Sequence, residues 1–359
     1  MDVINFLKEI SDNAKTHFEE DNIINEIYHN SLQDKYGDIS PWFKENLKST
    51  KGGILKVYRG VGDVYVDFIL TGIKSFSEDY NTKDFIFSVS NDAESAVLVA
   101  LMNAINKSKN NYNIRPYIFQ VDGVNSEDVN AAIDLCNHYN MNYKVVDITD
   151  TYKNITTQLG VNSFDKIRTH KLFHRITSTY LYDQATLYQG IVLSSLSFSR
   201  KCGGSIVENG DVGHFYPLMG LFKSTEISAI AKELDVPSKF WREEKLEGTF
   251  KPNDFGMSVL ELDILICLFL IATSIHYRYM LSMGKYDEPN SIVYGREEIE
   301  IVMTDATNGV KLNEEDHNKV SIFLDAIYTN HFKNSSIGFS ADTPITNKLD
   351  LLELANSLL

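Results

Sequence analysis

Apolar positions recur along this chain at two different spacings, and the change between them marks the elements. Within the first 50 residues the spacing is helical. Ile4, Leu7 and Ile10 share one face, and Ile23, Ile24, Ile27 and Tyr28 share a second. The stretch from Asp38 to Pro41 and the run Lys51-Gly52-Gly53 are turn-like breaks, which place a boundary near residue 52 after a helical N-terminal extension. Beyond it, short β-prone runs alternate with helical periods. Phe85–Val89, Tyr117–Val121, Tyr143–Ile148 and Gly190–Leu193 read as strands. Between them lie a helix carrying Val97, Leu98, Leu101, Met102 and Ile105, one capped by Ser126, and one over Arg168–Gln184. Ser224 is a candidate cap for a later helix that ends before Pro237.

Strands separated by helical periods predict an α/β fold, a mostly parallel sheet with helices on both faces. Ligands in such sheets bind beyond the carboxyl ends of the strands, where strand order reverses. The loop at residues 90–95, after the first core strand, is therefore the first place to look for chemistry. Residues from 258 onward read as mainly helical, with Val320, Phe323, Leu324 and Ile327 on one face. The apolar run Ile264–Ile275 exceeds what one amphipathic face needs, so a second subunit or the N-terminal helices should cover part of it.

Composition narrows the class. Over 359 residues the formal net charge is −15, which argues against affinity built on phosphate neutralisation of nucleic acid. The run Ile264–Ile275 is too short to span a bilayer, and no secretory signal is read at the N-terminus, so no membrane role is expected. Cys136, Cys202 and Cys267 are scattered, odd in number and without paired spacing, which fits a reducing, cytoplasmic setting and no zinc site. His170 and His174 share a helix face but lack a third ligand.

Several separated segments, read together, resemble the ammonia-dependent NAD synthetases. Phe87 to Ala96 is similar to that family's strand, S-G-G-x-D-S loop and helix. Val192-Leu193-Ser194-Ser195 is similar to V-L-G-T, and Gly210-Asp211 to the end of Y-G-D. Pro217 to Lys223 matches P-L-x-x-L-x-K, and Leu234-Asp235-Val236-Pro237 resembles L-G-V-P. Phe255 to Asp263 is similar to L-G-x-S-Y-x-x-I-D, and Phe332-Lys333 falls at a C-terminal F-K pair.

The resemblance implies a PP-loop fold (adenine nucleotide alpha hydrolase-like) over residues 53–335, with a tail over 336–359. It also implies a homodimer and an AMP-forming amide ligase that adenylates deamido-NAD with ATP and Mg²⁺ for attack by ammonia. The residues preceding the similarity are too few for an amidase domain, so the nitrogen comes from free ammonia or from a separate glutaminase chain. Carried over position by position, ATP contacts fall on Ser90, Asn91, Ser95, Ser195 and Lys223, substrate contacts on Arg175 and Lys333, and a metal ligand on Glu94.

Other positions depart from the family pattern. The two loop glycines are Asn91 and Asp92, and the second metal-binding Glu aligns with Arg200. Glu208 replaces a basic residue, and Lys251-Pro252 replace an acidic pair. Because Arg200 cannot ligate a metal, the expectation is that Asp92 and Arg200 pair across the pocket in the metal's place. A catalytically degenerate homologue serving as a nucleotide-binding or partner-binding module is the alternative reading.

Overall fold

The computed structural model describes residues 39–49, 62–107, 112–122, 124–203, 206–241, 256–282, 296–305 and 310–335. The expected helices at Ile4–Tyr28, the tail from 336 and the Lys251-Pro252 pair lie outside these residues. The chain runs α1 (Pro41–Ser49), α2 (Gly62–Asp79), β1 (Asp84–Ser88), α3 (Ala93–Lys107), β2 (Asn113–Gln120), α4 (Ser126–His138) and β3 (Lys144–Asp147). It continues through α5 (Thr149–Gln158), α6 (Lys166–Tyr188), β4 (Ile191–Val192) and α7 (Phe198–Cys202). A π turn (Lys223–Ile227) leads into α8 (Ser228–Glu233), followed by α9 (Val259–Ser282), α10 (Arg296–Asp305) and α11 (Glu314–Ser335).

The four strands form one parallel sheet in the order β3-β2-β1-β4. Alternation along each strand sends side chains to opposite faces. Phe85 and Phe87 join the core formed with α2, α3, α4 and α8, while Ile86 joins Tyr117, Phe119 and Val192 under α6. Helices therefore cover both faces, as the PP-loop arrangement requires. Strand β2 begins four residues before the predicted Tyr117 and includes Pro116, opposite Phe87. Asn113 donates to Lys83 O and Tyr117 accepts from Val89 N–H, so odd-numbered residues face β1. Pro116 faces the other way, where β3 has not yet begun, and its missing N–H costs no ladder bond.

Two predicted caps differ from those observed. Ser126 is the first residue of α4 and the cap position is Asn125, whose side chain instead bonds Phe119 O and Val121 N–H. Ser224 lies inside the π turn, whose start is held from outside. Asp263 of α9 accepts Ser224 N–H at 2.9 Å and the Ser199 hydroxyl at 2.5 Å, and that hydroxyl accepts Lys223 N–H at 2.7 Å.

The first part of the apolar run of α9, Ile264–Leu268, is covered within the chain. Ile264, Leu265, Ile266, Cys267 and Leu268 pack with Trp42 and Phe43 of α1, Ile299 and Met303 of α10, and Phe323 of α11. Of the two covers expected for this run, the N-terminal segment supplies one through α1.

Candidate functional site

A cavity of about 320 Å³ opens beyond the carboxyl ends of β1 and β4. The chain steps from β1 through β2 to β3 on one side, then returns to place β4 on the other, so the cavity sits where strand order reverses. Its walls include Ser90 and Asp92 after β1, Ser194 and Ser195 after β4, His170 and His174 from α6, and Arg200 and Asp211.

The loop before α3 closes on itself. Ser90 N–H donates to Ser95 Oγ at 2.9 Å, and Asp92 accepts Ser95 N–H at 2.8 Å and the Ser90 hydroxyl. Asp92 is thus the side-chain cap of α3, with its carboxylate at the positive end of the helix. Asn91 is turned to Asp128, donating at 3.0 Å.

Behind that loop Glu94 is fully buried in the first turn of α3. The Lys223 ammonium lies 2.6 Å from Oε2 in an ion pair, and the Ser197 hydroxyl donates to Oε1 at 3.0 Å. Lys223 keeps only 9% of its side chain exposed and does not reach the cavity wall. Mg²⁺ requires near-octahedral oxygen ligation at about 2.0–2.1 Å. The residues present do not fit it. Glu94 is engaged by an ammonium, the second expected ligand is a guanidinium, and the described residues contain no group of three or more His, Cys, Asp or Glu able to hold a metal.

The far wall is organised by Asp211. Its carboxylate receives Arg200 Nη2 at 2.9 Å, Val207 N–H at 2.9 Å and His174 Nδ1 at 3.0 Å. Burial pushes this carboxyl up, but Arg200 and then His174 outweigh it and hold it well below the usual carboxylate range. Gly210 allows the approach, since a Cβ there would meet Val207 Cγ1 at 2.6 Å and His174 Cβ at 2.8 Å. The expected Asp92–Arg200 pair is not formed. Arg200 spends its ion pair on Asp211, and Asp92 spends its carboxylate on the α3 cap. Next to His174, at 4.4 Å between ring centroids, lies His170. Burial and His174 lower its pKa to about 4, so the ring is neutral at pH 7, with Nε2 buried and without a hydrogen-bond partner among the described residues.

Among the positions carried over from the family, Ser90 and Ser195 line the cavity. Ser95, Asn91, Glu94 and Lys223 stand behind the wall and shape it. Arg175 turns outward, donating from Nε to Glu208 O at 3.0 Å. Lys333 lies on α11, its side chain outside the described residues. Sequence reasoning did not single out Asp211 or Ser197 as site residues. The Gly210-Asp211 motif was the available signal for the first. Ser197 had none, because its role depends on Glu94 being 103 residues away in the chain and adjacent in space.

Comparison with known proteins follows the same outline. Residues 65–263, more than half of the chain, match the family model described as NAD synthase. The NH(3)-dependent NAD(+) synthetase of Thermococcus sibiricus is 27% identical over 205 residues, 54% of this chain and 78% of that protein. The same enzyme of Finegoldia magna is 28% identical over 197 residues, 53% of this chain and 78% of that protein. Among solved structures, the NMN synthetase of Francisella tularensis aligns with a TM-score of 0.51 at 18% identity, over 70% of this chain and 98% of that one. The NH3-dependent NAD synthetase of Campylobacter jejuni, in complex with the nitrate ion, gives 0.51 and 18% over 77% and 96%. At this identity the two structures establish the shared fold.

Proposed function

Since the chain belongs to the NAD synthase family, we propose that it is an ATP-dependent amide ligase that adenylates the carboxylate of deamido-NAD or a related substrate. A carboxylate oxygen attacks the α-phosphorus of ATP and pyrophosphate leaves. The ammonia nitrogen then attacks the acyl carbon, the bond to AMP breaks, and a proton is lost to solvent. AMP is a far better leaving group than an oxide, which is why the chemistry is split in two.

The observation that carries this reading is the cavity at the strand-order reversal, bounded by the loop that opens α3 and by the segment after β4. Ser90 and Ser195 are the hydroxyls we assign to the nucleotide, with Ser95 and Asn91 holding the loop in shape. Lys223 acts in this reading from behind the wall, through its ion pair with Glu94, while Arg175 and Lys333 are the residues we assign to the second substrate. Arg200 brings positive charge to the cavity wall, and the neutral ring of His170 lines it. The family uses ATP with Mg²⁺; the donors of this chain do not fit the metal, and no step here passes through it.

A homodimer in the cytoplasm, fed by free ammonia or by a separate glutaminase chain, completes the proposal. Light scattering tests the dimer. No helix among the described residues is long and apolar enough to cross a membrane.

The deciding experiment measures pyrophosphate and AMP release from ATP with deamido-NAD and ammonia. Release that depends on both co-substrates supports the ligase, and its absence at high enzyme concentration removes it. A second reading, a nucleotide-binding module without turnover, is favoured by the consumption of Glu94 and Lys223 in one pair. Calorimetric ATP binding without pyrophosphate release selects that reading.

A further inference from the structure

At this site the carboxylate assigned to a metal already holds a cation. Glu94 is 0% exposed, its Oε2 is 2.6 Å from the Lys223 ammonium, and its Oε1 accepts from Ser197 at 3.0 Å. The pair is anchored from both sides. Glu94 belongs to the first turn of α3, and Lys223 opens a π turn whose N–H groups are held by Ser199 and Asp263. A divalent ion at Glu94 would have to displace an ammonium that has no other buried carboxylate in an ion pair with it among the described residues. The position expected to supply the second metal carboxylate carries Arg200 instead, a group that stays protonated and repels a cation.

Arg200 differs from Lys223 in facing the cavity. Nη2 is committed to Asp211, and among the described residues neither the buried Nε nor Nη1 has a hydrogen-bond partner. Its side chain is only 11% exposed, so the guanidinium is fixed on the wall rather than waving in solvent. A planar cation held in this way is suited to phosphate oxygens.

We propose that this site takes its nucleotide without a divalent cation, the Lys223 ammonium standing in the metal's place on Glu94 and the Arg200 guanidinium presenting positive charge to the ligand. The proposal rests on reading the cavity as a nucleotide site, and it deepens that reading by removing the metal from it. It accounts for two departures from the family pattern together. Glu94, one methylene longer than the Asp of S-G-G-x-D-S, pairs with the Lys223 ammonium. Arg in place of Glu at position 200 removes a ligand and adds a charge.

The test begins with the wild-type chain. ATP affinity is measured by isothermal titration in Mg²⁺ and in EDTA, and Mn²⁺ binding is titrated separately on wild type and on Glu94→Gln. The expected result is an ATP affinity that differs by less than about threefold between the two buffers, well inside the tenfold that 1.4 kcal/mol represents. No Mn²⁺ site should be lost on Glu94→Gln. ATP binding that weakens by about tenfold or more in EDTA, or one Mn²⁺ per chain that disappears in Glu94→Gln, overturns the proposal.

If ATP binds in neither buffer, the nucleotide reading falls and the metal-free nucleotide proposal with it. The Mn²⁺ arm then still reports whether Lys223 occupies the cation position. Lys223→Met tests the pair itself. It strands the buried Glu94 carboxylate, so its urea midpoint should fall well below that of wild type. A Glu94→Gln/Lys223→Met double variant should recover most of that loss, and an unchanged midpoint in Lys223→Met would show that the ammonium does not hold the cation position. Should Lys223→Met fail to fold, the wild-type titrations decide alone.

Discussion

Replacing Asp211 by Asn tests the charge arrangement of the cavity most directly. The change keeps the shape of the side chain and removes its charge. Asp211 is 8% exposed and receives Arg200 Nη2, Val207 N–H and His174 Nδ1, all within 3.0 Å. An amide oxygen in the place of Oδ2 can keep the Arg200 and Val207 contacts, leaving the amide nitrogen against His174 Nδ1. What it cannot do is neutralise Arg200, whose side chain is 11% exposed and whose Nε already lacks a hydrogen-bond partner among the described residues. Leaving one member of a buried ion pair uncompensated costs about 3–5 kcal/mol, a large share of the roughly 5–15 kcal/mol that holds a domain together.

Urea unfolding followed by tryptophan fluorescence reads the loss, with Trp42 and Trp241 as the chain's two reporters. Removing both charges in Arg200→Met/Asp211→Asn should recover most of it, because neutral groups of similar volume carry no stranded charge. The sign with pH follows from the lowered carboxyl. The contribution is present above the ordinary Asp value of 3.8 and is lost as pH falls through the folded value below it. An Asp211→Asn variant within about 1 kcal/mol of wild type would show that the pair is screened like a surface ion pair and that the reasoning is wrong.

Three further outcomes are expected. His170 has its pKa lowered from 6.5 to about 4, so the unfolded chain binds its proton more readily; its contribution is full above pH 6.5 and falls away towards pH 4, by about 3 kcal/mol at 1.4 kcal/mol per pH unit. Urea midpoints collected across that window should show a slope that His170→Gln reduces, and an unchanged slope would contradict the assignment. Asp92→Ala removes the cap of α3 and should lower stability by about 1 kcal/mol, with Asp92→Asn close to wild type; equal losses for both would mean that charge rather than capping matters there. Gly190→Ala places a methyl 2.7 Å from Asp84 O and 2.5 Å from Ile86 Cδ1, and should cost about 1–3 kcal/mol in the same unfolding assay, a neutral result showing that β4 shifts freely against β1.

The sheet was legible because its evidence is local. Phe85–Val89 and Gly190–Leu193 are dense apolar runs next to helical periods, and such runs have few alternatives to a buried parallel strand. The start of β2 was missed because Pro116 reads as a strand breaker until one knows that it faces away from β1. The site was less legible for a different reason. Glu94, Arg200 and Lys223 stand out in the sequence and Asp211 does not, because only the fold chooses which charges meet. Arg200 takes Asp211, eleven residues on, rather than Asp92, because Asp92 is satisfied by the N–H of Ser95 three residues away. Lys223 ends the segment matching P-L-x-x-L-x-K, and the resemblance implied contact with a phosphate. Its side chain instead turns inward to Glu94, a pairing that no spacing along the chain announces.

The packing of α1 against α9 bears on where this chain can be cut. Homology to the family starts at residue 65, which invites a truncated chain beginning there. Such a chain would lack Ile39, Trp42, Phe43 and Leu47, all buried against Leu260, Ile264 and their neighbours. Losing a single large aromatic from a core costs about 3–5 kcal/mol, and here two would go together with their helix. The bared strip of α9 would be sticky, and preparations of the shorter chain should aggregate or be recovered with chaperones bound. The start of the family match and the start of the packed core are different places, since the core already includes Ile39.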